Sequence, residues 1–551
     1  MKLNGITAVF KNDRRLVRLS LIYGTLMSLA VMSGRTLEKK GYLTPPSVSG
    51  IFVFLLLAAV FSALCGLALV FISKRSAAAA AGRPGSDARP ARGDIPALLK
   101  YWAGIFAAHF VVLLAEYPGF FVYDATDELF EFDTRTFTTH HPLLHELLMG
   151  ISVRGGETLF GNVNAGIFLH ILFQMLLITL VLSIILLMLE KAGISGPVRV
   201  IIWLFYAFFP PVVMFSLCSS KDTPFSAFLL LSILLLYRRC TDKVSAVRPA
   251  VFYLLLAVFP AASMLFRHNA FYAWLVYLPL LLLFYPNAGQ TGKKPMVIAL
   301  IASLVLYLVI SSGLQFMLKA DKEGPQEMLT VPIQQLARLW NDDPSSFTDE
   351  ELEILYRYIP ASDLRHYRPS LSDPVKSGFN NDAAREDLKP FLALWAAKGM
   401  QHPVTYLNAW LMTSYGYWYP GAVINVYAGN EVHTFTYRDS SYFGYEVEYP
   451  GERHSLIPAI DRLYRKLSIE RFQQEIPVIS LLFAPASYLW LWLLIFLYLI
   501  WKKDRQVFSV LPVFLYMLTL LLGPTYLVRY VIPLFFGLGI LPLLAVSAKR
   551  L

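Results

Sequence analysis

The sequence predicts an all-α polytopic membrane protein with about twelve transmembrane helices, and three observations predict it. The composition is apolar: of 551 residues 56% are hydrophobic and only 16% charged, with a mean hydropathy of +0.52. Soluble domains carry about 25% charged residues. The apolar residues collect in runs close to the ~18 residues that a spanning helix needs. Basic residues are crowded between alternate pairs of those runs.

The runs lie near residues 16–33, 51–73, 100–116, 162–190, 198–215, 223–237, 249–266, 270–286, 296–316, 476–500, 507–523 and 531–547. A basic stretch precedes the first, but no small-residue cleavage site follows, so it reads as a retained anchor. Pro210-Pro211 interrupts the fifth, and the sixth is short. With the N-terminus in the cytoplasm, inner segments hold 24 basic residues. The short outer loops hold only Arg35, Lys39, Lys40, Arg135, Arg154, Lys221, Arg267 and Arg529. This positive-inside bias places both termini in the cytoplasm. The net charge of +10 divides into +18 inside and −8 outside, so it reports topology and not a nucleic-acid partner.

Residues 76–94, rich in Ala, Gly, Pro and Arg, read as a flexible inner linker. Cys65, Cys218 and Cys240 form no CxxC pair, which argues against a disulfide framework or thiolate zinc site. The chain then divides into 1–316, with nine helices and an outer loop at 117–161, a mostly helical extracytoplasmic domain at 317–475, and three helices in 476–551.

The outer loop carries an acidic face. Asp124, Asp127, Glu128 and Glu131 fall at i, i+3, i+4 and i+7 of a helix. Clustered carboxylates raise one another's pKa, which makes a better general base, although any one of them alone reads as solvated helix surface. His140, His141 and His145 follow around Pro142, with Glu146 beside them. Phosphate or substrate contact, helix capping and a divalent metal are the three readings, in that order. Lys221, Arg267 with His268, and Arg529 each place a cation at the outer interface, where cations are scarce. Interfacial anchoring explains one of them; three together suit a lipid phosphate. His170 and Gln174, one turn apart in a span, suit interhelical hydrogen bonding. Tyr415, Tyr417, Trp418 and Tyr419 suit either sugar stacking or an interfacial belt. No Gly-rich nucleotide cradle is present, which argues against a soluble nucleotide-sugar or ATP as direct substrate.

Four landmarks occur in order: YPGFFVYD at 117–124, HHPLLH at 140–145, SSKDTPF at 219–225 and GPTYLVRYVIP at 523–533. In these the chain resembles the GT-C superfamily of integral-membrane glycosyltransferases, which includes protein O-mannosyltransferases and the aminoarabinose transferases of lipid A. It is most similar to little-characterised bacterial members. The resemblance implies a GT-C-like fold in the cell membrane and inverting transfer of a sugar from a polyprenyl-phosphate carrier to a glycan, lipid or protein acceptor on the extracytoplasmic side. It implies Asp124 as base, with Asp127 of the Asp127-Glu128 pair in reserve. Lys221, Arg267, Arg529, His140 and His141 would then bind donor phosphate, and Glu128, His268, Tyr417 and Trp418 would contact substrate. No cofactor is certain, and metal dependence varies between branches. The rival expectations are a transporter or flippase of lipid-linked glycan and an undecaprenyl-diphosphate glycan ligase or polymerase. Polar landmarks at one surface, not at mid-membrane in two similar halves, favour an enzyme over a transporter.

Overall fold

The structure is a computed structural model that describes residues 13–81, 94–241, 248–286, 292–423, 447–470 and 472–547. Among these, regular structure is helical, with isolated β-bridges and no strand. Eight stretches are long and apolar enough to cross a bilayer: Arg14–Lys40, Val48–Ala77, Asp94–Ala115, Val163–Lys191, Asp222–Cys240, Pro249–Phe266, Lys294–Leu318 and Pro485–Lys502. Two bent pairs, Gly196–Phe208 with Pro210–Ser216 and Val528–Phe536 with Ile540–Val546, raise the number to ten if each pair is one span.

The other two runs are the shorter helices Asn269–Phe284 and Val507–Leu520, of 16 and 14 residues. At 1.5 Å per residue they reach about 24 and 21 Å, short of a ~30 Å hydrocarbon core. Counting twelve by composition took turn residues such as Tyr285 and Leu521 into the runs. The 52° bend of the first pair lies at Phe209, extended at ψ 120° before Pro210. Proline removes a helical donor and disfavours helical geometry in the residue before it.

The inner linker at 76–94 lies partly outside the described residues, and its first residues, 76–81, continue the helix Val48–Ala81. Lys2, Lys11, Arg83, Arg89, Arg92, Lys243, Lys549 and Arg550 of the inner basic set are outside the described residues as well.

Within 317–475 two packings occur. Helices such as Thr330–Asp342, Asp349–Tyr358 and Lys389–Gln401 enclose a core of their own around Ile333, Leu355, Tyr358 and Phe391. From Met412 onward, Tyr415, Tyr417, Tyr464 and Leu467 belong instead to the core of the apolar helices. The segment after the undescribed stretch 424–446 straps the 117–124 loop. Glu448 N–H donates to Phe121 O at 2.8 Å and His454 N–H to Tyr117 O at 2.9 Å, while Arg453 pairs with buried Glu116.

Helices Leu143–Phe160 and Val163–Lys191 form a hairpin that carries the histidine landmark. Their backbones meet at Gly166, where an added Cβ would stand 1.9 Å from Val153 O. Because that obstacle is main chain, Gly166→Leu is expected to destabilise by at least the ~1–3 kcal/mol typical of overpacking, read as a lowered melting temperature in detergent.

Candidate functional site

The four landmarks come together through their backbones first. Phe120 N–H donates to Leu217 O and Ser219 N–H donates to Phe120 O, both at 2.9 Å, and Val122 N–H reaches Ser219 Oγ at 3.1 Å. The loop ending at Asp124 is thereby locked to the turn that carries Lys221. Tyr123 adopts φ 64°, a left-handed conformation that a tyrosine rarely takes. The strained residue turns the chain into helix Ala125–Thr134, with Asp124 at its N-cap. The Asp124 side chain makes no capping bond; it points to cations instead.

Lys221 Nζ stands 2.9 Å from Asp124 Oδ2, 3.1 Å from His141 Nδ1 and 3.5 Å from Glu128 Oε1. An ammonium has three donors and no acceptor, so these three partners use all of them. Arg529 meets Asp124 with both terminal nitrogens, at 3.1 and 3.3 Å. Its Nε lies 4.0 Å from Asp222 Oδ2, and Arg267 pairs with Asp222 Oδ1. Both guanidinium groups lie against the Tyr530 ring, at 4.3 Å for Arg267 and 4.9 Å for Arg529, and Arg529 also covers Tyr123 at 4.5 Å. Three carboxylates, Asp124, Glu128 and Asp222, thus face three cations, which is how charges survive burial. Yet the Nε atoms of Arg267 and Arg529 have no hydrogen-bond partner among the described residues.

The acidic face divides by environment. Asp124 and Glu128 turn inward. Burial would raise both carboxyls, but Arg529 and Lys221 hold Asp124 well below the ordinary range, and His145 with Lys221 brings Glu128 down to about 2. Asp127 is exposed at the rim and is raised by partial desolvation and by Asp124 and Glu128. Glu131, also raised by desolvation, accepts from Thr138 N–H at 3.0 Å. The inward members are therefore the ionised ones, because cations outweigh their mutual repulsion.

His141 is neutral, pushed down to about 3 by burial and Lys221, and its Nδ1 lone pair accepts from the ammonium. His145 Nδ1 donates to Glu128 Oε2 at 2.6 Å, and its other nitrogen lies 3.4 Å from Gln174, which bonds His170 at 2.7 Å. His140 is turned away, paired with Glu323 at 2.7 Å. His268 borders a small cleft shared with His141, Leu144 and Leu314, its Nδ1 3.2 Å from Tyr307 Oη. Burial lowers its pKa to about 4.

Tyr417 and Trp418 are packing residues. Tyr417 is 1% exposed, so no sugar can stack on it. Its hydroxyl donates to Thr525 O at 3.0 Å and accepts from Leu527 N–H at 3.3 Å, fixing the segment that leads to Arg529. Trp418 packs with Ala30 and Trp490. Sequence reasoning assigned no role to Asp222, which bridges both arginines; its place beside Lys221 was the available signal. Glu448, which accepts from Thr126 Oγ1 at 2.8 Å, is 322 residues away and carried no local signal.

Glu146 is fully buried, and neither carboxyl oxygen has a hydrogen-bond partner among the described residues. Burial and then Glu131 and Glu128 push its pKa up to about 8. Between the unfolded value near 4.5 and about 8, the folded protein keeps a proton that the unfolded chain has lost. Stability therefore falls as pH rises through that window. Glu146→Gln is expected to remove this slope in melting temperatures measured against pH.

Asp124, Glu128 and His141 offer ligand atoms within 4.8 Å of one another, as do His140, Glu323 and Glu327. The first set does not fit a metal as it stands, because Lys221 Nζ contacts all three of its ligand atoms. The model of a family of unknown function, DUF6020, matches residues 122–550. The chain belongs to this family. No curated protein and no solved structure matches it. The DUF6020 match begins two residues before Asp124 and takes in Lys221, Arg267 and Arg529. Helices Arg14–Lys40, Val48–Ala81 and Asp94–Ala115 precede it.

Proposed function

We propose that the protein is an inverting membrane glycosyltransferase that moves a sugar from a polyprenyl-phosphate carrier to a hydroxyl of a glycan, lipid or protein acceptor. The observation that carries this reading is the pairing of Arg267 and Arg529 around Asp222, each with an unspent Nε donor, beside the ionised Asp124. The positive-inside bias of the charges supports an extracytoplasmic site at the cell membrane. A twelve-helix, GT-C-like bundle on this reading counts the two bent pairs and the short helices Asn269–Phe284 and Val507–Leu520 alongside the eight long spans.

The donor phosphate lies against the two arginines, whose planar forks suit phosphate oxygens. Lys221, with its donors already engaged, positions Asp124 and is not itself a phosphate ligand. When phosphate draws on Arg529, Asp124 loses counter-charge and becomes a stronger base. It removes the acceptor proton while that oxygen attacks the anomeric carbon from the side opposite the phosphate. The arginines stabilise the charge on the departing polyprenyl phosphate, so no general acid is needed. His268, which shares a cleft with His141, is a further polar contact, and Asp127 is the reserve base. No step passes through a metal or nucleic acid.

The test is reconstituted full-length protein given a radiolabelled polyprenyl-phosphate sugar and candidate acceptors. Label is expected on the acceptor. Label that only changes leaflet makes the protein a flippase and defeats this reading.

A further inference from the structure

The geometry points to Lys221 as a built-in replacement for a divalent cation, so that this site works without metal, and removal of the lysine opens a latent metal site. That the site works without metal rests on the transferase reading; replacement of a cation by Lys221 is a matter of binding alone.

The ammonium sits where three ligand atoms converge: Asp124 Oδ2, Glu128 Oε1 and His141 Nδ1, at 2.9, 3.5 and 3.1 Å. Two carboxylates and an imidazole presenting a lone pair are a divalent-metal donor set, and each must be deprotonated to bind an ion. His141 presents its bare Nδ1 because Lys221 can only donate. The surroundings also hold the ligands in place, since His145 fixes the second oxygen of Glu128 and Arg529 the second oxygen of Asp124. Such outer partners are what orient the ligands of metal sites.

A second cation cannot enter while the first remains. Lys221 is 12% exposed at its side chain, and its charge would stand within the coordination sphere of any ion between these ligands. Like charges at such separations repel strongly where water is scarce. One ammonium also balances the local charge with Arg267 and Arg529, whereas a divalent ion added to the three cations would leave an excess.

The test titrates purified full-length protein with Mn²⁺, read by electron paramagnetic resonance and by melting temperature. Both arms carry Glu323→Gln to remove the exposed His140 cluster. The parent is expected to bind no Mn²⁺ and to melt at the same temperature with or without it. Lys221→Ala is expected to take up one Mn²⁺ per chain and to melt higher in its presence, as linkage requires. Adding Asp124→Asn should abolish that uptake. If Lys221→Ala aggregates alone, rescue of folding by Mn²⁺ supports the replacement, and failure of rescue overturns it. Mn²⁺ uptake by the parent that Asp124→Asn or Glu128→Gln removes also overturns it, as does a folded Lys221→Ala that binds none. None of these readouts depends on sugar transfer. Loss of transfer with the binding pattern intact would sink only the transferase reading.

Discussion

Asp124→Asn is expected to lower sugar transfer by roughly 10²- to 10⁴-fold, the usual contribution of a positioned base. The binding of donor should move the other way. In the unliganded protein Arg529 is engaged by both oxygens of Asp124, at 3.1 and 3.3 Å, so a donor phosphate must compete with an internal anion. Asparagine keeps the shape and removes the charge, leaving Arg529 freer to hold phosphate. Turnover should collapse while polyprenyl phosphate binds as tightly as before or more so. A purely structural role predicts parallel losses of turnover and binding. Measuring kcat beside the Kd for polyprenyl phosphate separates the two, and full transfer by Asp124→Asn would end the base assignment.

Arg529→Ala is expected to be the most damaging single change to stability. It leaves Asp124 with Lys221 alone and Asp222 with Arg267 alone. Breaking one side of a buried ion pair costs about 3–5 kcal/mol, because a charge remains without its partner. Arg529→Lys should recover little. An ammonium lacks the planar fork that meets both Asp124 oxygens and the extended group that covers both Tyr123 and Tyr530. The pH dependence follows from Asp124, whose folded pKa is held below its unfolded value. A depressed carboxyl contributes stability above the unfolded pKa of ~3.9 and loses it as pH falls toward the folded value. The gap in melting temperature between wild type and Arg529→Ala should therefore be widest near neutrality and narrow below about pH 4. A gap that is constant with pH would mean that Arg529 acts through packing alone.

Much of this arrangement was legible before any coordinates, for identifiable reasons. Apolar runs mark helices because a bilayer leaves no alternative backbone pairing. Pro210-Pro211 marked the bend at Phe209 for an equally local reason. Lys221, Arg267 and Arg529 stood out because cations are scarce in the short loops that carry them, and they do converge. What stayed hidden depends on side-chain direction. Spacing put Asp124, Asp127, Glu128 and Glu131 on one face, yet only Asp124 and Glu128 meet the buried cations. No periodicity distinguishes a tyrosine that faces sugar from Tyr417, whose hydroxyl is bound to backbone 108 residues along the chain. Saturation of Lys221 was equally invisible, since it meets Glu128 and His141 across 93 and 80 residues of chain.

The salt bridge between Asp124 and Arg529 closes across 405 residues of chain. A ribosome delivers Asp124 to the membrane long before it has made the arginine that neutralises it. Until the Val528–Phe536 helix inserts, the nascent protein holds a half-neutralised carboxylate at the lipid boundary. Assembly of the centre is thus a terminal event in biogenesis, and a chain stalled before that helix would lack the guanidinium that meets both oxygens of Asp124.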